Sequence, residues 1–420
     1  MEELPAELVA HVLSFLPKGA VGLAARTCRR WFFCTCFPPE VDNNKRRLSI
    51  PWACSSVGNL QWALHNGYHL CNETSGEAAA QGNLAVLKHV NEENRRLDQW
   101  TFSQAAEGGH LEVLQWLHEQ LCPWNERQMC NNAAAKGHLE VLRWLMQKGG
   151  LLIDSWTCAS AARGGHLEVL KWLRENGCHW DETTCTAAAK HGHLEVLRWA
   201  HENGCPWGAS CEVAAEGGHL EVLKWLCKQG CPLTYSTCTS AAAFGHLEVL
   251  QWARQQGCRW EKWACICAGQ RGHVEVLQWI VQQDPSLWDG LACCRAAEDG
   301  HLNVLQWAHQ QDLHWPKEDA CRLAAASGQL EVLKWLRETA QCAWDERICS
   351  EAARCGQLKV VKWARENGCP WNEATCTEAV RGGHLKVLRW ARKHGCPWHR
   401  ELVIKHTKSL DLYKWIQENS

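Results

Sequence analysis

Residues 165–177 read Gly165-His166-Leu167-Glu168-Val169-Leu170-Lys171-Trp172-Leu173-Arg174-Glu175-Asn176-Gly177. Leu167, Leu170 and the pair Trp172–Leu173 fall on one stripe, with Glu168, Lys171 and Arg174 outside it. That spacing predicts a helix, because a half-buried strand would alternate strictly. Asn176-Gly177 stops it, as a left-handed C-terminal residue does. A short turn, Cys178-His179-Trp180-Asp181-Glu182, leads to a second helix from Thr184 to Lys190. Its run Ala187-Ala188-Ala189 has no bulk, so a neighbouring helix can come close there.

The same phrase recurs along the chain. Gly-His-Leu-Glu-Val-Leu-x-Trp begins at Gly109, Gly137, Gly165, Gly192, Gly218 and Gly245. Variants begin at Gly82, Gly272, Gly300, Gly328, Gly356 and Gly383, and the twelve glycines stand 26 to 28 residues apart. Degenerate copies flank them at Gly58-Asn59-Leu60 and at Leu410-Asp411-Leu412-Tyr413-Lys414-Trp415. One helix pair cannot bury its own apolar stripe, whereas stacked pairs share a continuous core. The expectation is an all-α solenoid of helical pairs. At helix spacings of ~8–10 Å, twelve of them would make a curved rod on the order of 100 Å long.

Gly-His-Leu-Glu-Val-Leu, a helix ending in Asn-Gly, and the Ala-Ala-x-x-Gly-His junction resemble the ankyrin repeat. The linker departs from it. Ankyrin repeats run about 33 residues and carry a hairpin finger and a Thr-Pro-Leu-His turn. These units lack roughly six of those residues, and Thr184-Cys185-Thr186 stands where the turn would be. The resemblance covers about residues 58–418 and implies a protein-binding array.

Residues 1–40 do not follow the repeat. Pro5 at a helix start, with Leu8, Val12 and Leu16 on one face, predicts a short amphipathic helix, and a second is expected from about Val21 to Trp31. The opening Leu4-Pro5-Ala6-Glu7-Leu8, the Leu13-Ser14-Phe15-Leu16 segment and the closing Cys28-Arg29-Arg30-Trp31 resemble an F-box. That module binds the Skp-type linker subunit of a cullin–RING ubiquitin ligase. The resemblance implies contact or core roles for Leu4, Pro5, Leu8, Val12, Leu16, Cys28 and Trp31. The alternative is an amphipathic cap that seals the first repeat. Residues 41–57, polar and turn-rich from Val41-Asp42-Asn43-Asn44 onward, read as a linker.

Composition narrows the function classes. Hydrophobic content of 46% with 21% charged residues is that of a folded chain. A net charge of −2 offers no basic excess for phosphate backbones, so no nucleic-acid partner is expected. The opening Met1-Glu2-Glu3 lacks a secretory signature, and no apolar run nears the ~18 residues that span a bilayer. The expected location is the cytoplasm or nucleus, with no membrane partner. The 27 cysteines are therefore expected as thiols, and Asn72-Glu73-Thr74 as a chance glycosylation match.

Three repeated residue types tempt a catalytic reading. Cysteines form two columns, one in the turn (Cys205, Cys231, Cys369, Cys396) and one in the small-residue helix (Cys158, Cys185, Cys211, Cys238, Cys321, Cys349, Cys376). Members of one column stand a helix-packing distance apart, too far for a disulfide or a shared zinc ion. Buried free thiols are expected, with no metal and no cofactor. Cys34/Cys36, Cys265/Cys267 and Cys293/Cys294 are isolated local pairs. His-x-Glu recurs in repeat after repeat, as at His166/Glu168, whereas a catalytic site is built once; the histidine is expected to cap backbone groups and tie adjacent turns together. The 27 tryptophans fall mostly in two columns and, without a basic groove, are expected to pack the core.

The positions just before each Gly-His vary where their surroundings do not: Lys136, Lys190, His191, Glu216, Phe244, Gln270, Arg271, Glu298, Asp299 and Arg381. Residues needed for packing look alike in every repeat, so these ten are expected to be exposed and to meet a target protein. Together the readings describe a non-enzymatic adaptor, an F-box ligase's substrate-recognition subunit. The alternative is an ankyrin-like scaffold or sequestering protein with no ubiquitin role.

Overall fold

Short helices follow one another in pairs from Val57 to Glu418 in the computed structural model, which describes residues 54–65, 70–93, 97–149, 154–407 and 409–418. Every regular element among the described residues is helical. The seven F-box positions lie outside them. Residues up to Trp124 and residues from Asn125 onward make two compact units.

In the C-terminal unit one repeat shows the construction. Asp154 caps the inner helix Ser155–Gly164, its carboxylate accepting from the amides of Trp156 and Thr157, two donors a helix start leaves unpaired. Gly165 turns the chain in the left-handed region, φ 77°. The outer helix Leu167–Glu175 then runs to Gly177, φ 81°. Asp181 caps the next inner helix, Glu182–Lys190, through the amide of Thr183.

Within the C-terminal unit successive inner helices pack against one another, from Glu126–Lys136 through Glu373–Arg381, while outer helices barely touch one another. Inner helices are therefore covered on two sides, which explains their small residues: Cys185, Ala188 and Ala189 are fully buried. An outer helix has only a narrow stripe to cover. Val169, Leu170 and Leu173 are buried, but Leu167 and Trp172 only half so. The apolar face is thus rotated toward Val169 from the stripe that the spacing suggests.

In the N-terminal unit the helices Asn72–Ala80 and Gln99–Gly108 pack in the same way. Cys54, which the sequence places in the linker, is fully buried and donates its thiol hydrogen to the Thr74 carbonyl at 3.3 Å.

The repeats are joined by one recurring step. His193 places Nε2 3.0 Å from the Arg163 carbonyl of the preceding repeat. His246 does so on Glu216 at 2.9 Å, and His110 on Ala80 at 2.8 Å within the N-terminal unit. Gln329 substitutes with its amide, donating to Glu298 at 3.2 Å. Histidine thus ties repeats together as expected. The group it caps is this carbonyl at the end of the preceding inner helix, since none of these histidine side chains bonds its own helix's amides. The ring instead lies flat on the preceding Gly-His glycine. A Cβ on Gly165 would sit 2.6 Å from His193 Nδ1, and one on Gly218 2.5 Å from His246 Nδ1. Glycine is required twice there, once for its backbone and once for the ring.

The outer-helix glycines carry only the first demand. A Cβ on Gly177 meets nothing within 4 Å, and Leu121, Asp312 and Gln341 take positive φ at the matching loop in other repeats. Gly218→Ala should therefore cost about 3 kcal/mol, the sum of a left-handed alanine and an overpacked contact. Gly177→Ala should cost about 1 kcal/mol. Chemical denaturation of the two variants compares them.

Burial lowers the pKa of His166, His219 and His273, outweighing the carbonyl bond that raises each. The unfolded histidines titrate near 6.5 and take up protons before the folded ones do. The stability from this step is accordingly present above pH 6.5 and lost as pH falls below it. Urea midpoints measured from pH 8 to pH 5 should hold level and then decline, the decline setting in near the ordinary histidine value.

Candidate functional site

The ten positions before Gly-His all sit at the C-terminal ends of inner helices. Lys136, Lys190, His191, Arg271, Asp299 and Arg381 are exposed, while Glu216, Phe244, Gln270 and Glu298 are half-buried. The helical register explains the placement. These residues follow the buried Ala-Ala pair and precede the left-handed glycine, where the inner helix leaves the stack.

The structure brings some of them together across repeats. Lys190 Nζ reaches Glu216 Oε1 at 2.7 Å, and the Arg271 guanidinium lies 4.5 Å above the Phe244 ring. Others pair within their own helix, Glu298 with Arg295 at 2.7 Å and Arg381 with Glu378 at 2.6 Å. Partial burial lowers the pKa of His191, and the charges of His193, Arg163 and Lys190 act in the same direction. The row presents alternating sign around one aromatic, a pattern that suits a polar protein surface with a local apolar contact.

A second set of exposed groups lies at the other end of the inner helices. Trp156, Tyr235 and Trp263 stand in their first turns with 58%, 51% and 55% of their surface open. Sequence reasoning missed them. The available signal was position: Trp156 and Trp263 each stand nine residues before a Gly-His glycine, outside both tryptophan columns, where other repeats carry Thr183, Asp319 or Arg347.

The column tryptophans are not core residues for the most part. Most turn indoles of the C-terminal unit meet the outer-helix indole of the next repeat edge-to-face: Trp180 with Trp199 at 5.6 Å, Trp260 with Trp279 at 5.4 Å, Trp371 with Trp390 at 5.9 Å. An arginine from the preceding outer helix covers the ring, Arg174 over Trp180 and Arg254 over Trp260, both at 4.3 Å. The same arginines donate to the carbonyls of Cys178 and Cys258. This ladder lies along the rim because indole is too large for the Ala-rich stack, and its rings are already engaged within the chain.

The two cysteine columns, expected to be separate, face each other within a repeat. Cys158 and Cys178 have their sulfurs 3.0 Å apart, Cys211 and Cys231 2.9 Å. Cys321 and Cys342 bring the same two columns together, with Cα atoms 7.3 Å apart. Spacing along one column was the wrong comparison, since the partner lies in the other. The turn thiol also bonds the carbonyl that starts its own repeat, Cys178 to Asp154 and Cys205 to Asp181, both at 3.2 Å. The hydrogen bond from Cys158 pulls Cys178 down and pushes Cys158 itself up. Among the described residues no group of three or more His, Cys, Asp or Glu is arranged to hold a metal ion. None of their helices is long and apolar enough to cross a membrane.

Comparison with protein-family models agrees with this architecture. Residues 102–146, 130–174 and 158–237 match models of ankyrin repeats, and residues 1–38 match the F-box-like model. No curated protein matches. Among solved structures, the human ASB11 ankyrin repeat domain is similar at 20% identity over 38% of this chain and 84% of its own, with a TM-score of 0.30.

If the row before Gly-His is surface rather than scaffold, its aromatic pair can be removed at little cost. Phe244→Ala and Arg271→Ala should each change the free energy of unfolding by about 1 kcal/mol or less, the worth of a cation–π contact that is not fully desolvated. Urea titration followed by circular dichroism measures it.

Proposed function

We propose that this chain, an F-box-like segment joined to ankyrin repeats, is the substrate-recognition subunit of an F-box ubiquitin ligase and catalyses nothing itself. Residues 1–40 recruit the Skp-type linker subunit through Leu4, Pro5, Leu8, Val12, Leu16, Cys28 and Trp31. Residues 41–57 link that module to the array over 58–418, which captures a target protein. The work is done in the cytoplasm or nucleus. The observation that carries this reading is the pairing of an F-box-like match at 1–38 with an array whose varying residues lie, exposed or half-buried, at the inner-helix ends.

The physical case for the array is a division of labour. Glycine, leucine and valine, with histidine in most repeats, fix the repeats alike, while the residues before Gly-His differ from repeat to repeat and lie outside that shared core. Such positions can be tuned to a partner without unfolding the scaffold. Phe244 under Arg271 is the place to look for a strong contact, because an aromatic held flat presents a rigid apolar face at low entropic cost.

Co-precipitation of the full chain from cell extract tests both halves. Leu8→Asp with Trp31→Ala should abolish recovery of the Skp-type subunit while leaving target recovery intact. Phe244→Ala and Arg271→Ala should do the opposite, each weakening the target by ~1–3 kcal/mol. Unchanged recovery of the Skp-type subunit by the double variant would leave a scaffold or sequestering protein in place of the ligase reading.

A further inference from the structure

The array carries paired thiols that the adaptor reading does not use. Seven repeats of the C-terminal unit hold a cysteine on the inner helix and another in the turn 20 or 21 residues later, as in Cys158/Cys178, Cys211/Cys231 and Cys376/Cys396. The sulfurs of Cys158 and Cys178 are 3.0 Å apart and those of Cys211 and Cys231 2.9 Å. Cys376 and Cys396 share a side-chain hydrogen bond, and so do Cys349 and Cys369. Packing alone asks for a small apolar group at each site, and alanine fills comparable places in the same helices. It does not ask for two sulfurs in contact, repeated.

We propose that these same-repeat pairs are oxidisable dithiols, which a hydroperoxide converts into disulfides tying each inner helix to the turn that follows its outer helix. The turn thiolate attacks one peroxide oxygen; the O–O bond breaks, the second oxygen leaves as water, and a sulfenic acid forms on the turn sulfur. The inner-helix thiol then attacks that sulfur, its proton leaving with the displaced hydroxyl as a second water. Two sulfurs each give up one electron, and hydrogen peroxide becomes two waters. In Cys158/Cys178 and Cys211/Cys231 the turn cysteine goes first because its S–H neighbour, as donor, stabilises its thiolate, and because a turn opens more readily than a helix stacked on both sides. Only the turn and the two helices of one repeat are joined, so the stack between repeats is left as it was.

The chain contains its own controls. Cys265 and Cys293 occupy the inner-helix column, but their turns carry Pro285 and Leu313 at the partner's place. Burial pushes the Cys265 thiol up to about 12. Cys71 is exposed and reports that oxidant has reached the protein.

The test uses the full chain, fully reduced and freed of reductant, then treated with stepped hydrogen peroxide. Unfolding in N-ethylmaleimide and non-reducing peptide mapping by mass spectrometry follow. The expected map links Cys158 to Cys178, Cys211 to Cys231 and Cys376 to Cys396, each pair about 2 Da lighter than its two thiols. Cys265 and Cys293 should be recovered alkylated, and dithiothreitol should reverse the links. In Cys178→Ser, Cys158 should be recovered alkylated while the other pairs still form. The proposal is overturned if links join different repeats, or if paired cysteines accumulate as sulfinic or sulfonic acids. It is equally overturned if they remain alkylatable at a dose that oxidises Cys71, or if Cys158 finds another partner in Cys178→Ser.

Discussion

A single contact sets the geometry of the array: an imidazole lying on a left-handed glycine and bonded to a carbonyl of the preceding repeat. The bond from His193 to Arg163 and the close fit of that ring on Gly165 fix both the distance and the angle between neighbouring repeats. Nothing else in the repeat is as directional. Leu and Val supply most of the burial, but apolar packing tolerates sliding, and a slide of one residue would put the wrong face of an inner helix against its neighbour. The polar bond removes that freedom. It is strong where it stands because the carbonyl belongs to a helix end and has no partner of its own within the helix. Glutamine can replace histidine at Gln329, which shows that the requirement is a donor at the right reach, not a titrating group.

With that step fixed, the rest of the repeat becomes short. The described repeats have no hairpin finger to help register the units, so the turn after the outer helix must be held from within. Arginine at the end of the outer helix does this, bonding the cysteine carbonyl and lying over the indole that follows, as Arg174 does with Cys178 and Trp180. The indole in turn leans on the next repeat's tryptophan. The inner side of the array is thus registered by histidine and the rim by aromatic contacts, and outer helices need little contact with one another.

Much of this was legible in the chain because repetition acts as a comparison within one sequence. Twelve copies of the repeat, nine of them carrying Gly-His, separate what packing demands from what it permits, so the helix pairs and the solenoid could be read, whereas of the ten positions before Gly-His six are exposed and four half-buried. What could not be read was which column faces which. Spacing along the sequence places Cys158 and Cys178 at fixed points of a repeat, yet the fold back from inner helix to outer helix to turn is what puts their sulfurs 3.0 Å apart. The tryptophans failed for a related reason. Indole is apolar enough to be assigned to a core, but a core lined by Ala188 and Ala189 has no room for it. Trp156, Tyr235 and Trp263 escaped notice because each occurs at a place that other repeats fill differently, and an irregular residue is harder to see among regular ones.

That same irregularity is what gives an array of this kind its specificity. A partner meeting uniform repeats would find the same contact at every step and could bind in many registers; distinct registers require distinct residues. Here the uniform residues face the stack, and the differing ones gather at both ends of the inner helices, Phe244 and Arg271 at one end and Tyr235 and Trp263 at the other. All four belong to two consecutive inner helices and the residues that cap them, Tyr235–Ala243 and Lys262–Gln270. An aromatic group at each end of adjacent helices marks a segment as long as the helices themselves. It also distinguishes these repeats from their neighbours, where Glu216 and Lys190 form an ion pair instead. A target anchored there would be held in one register by the aromatic pairs, with the charged repeats on either side selecting against partners of the wrong sign.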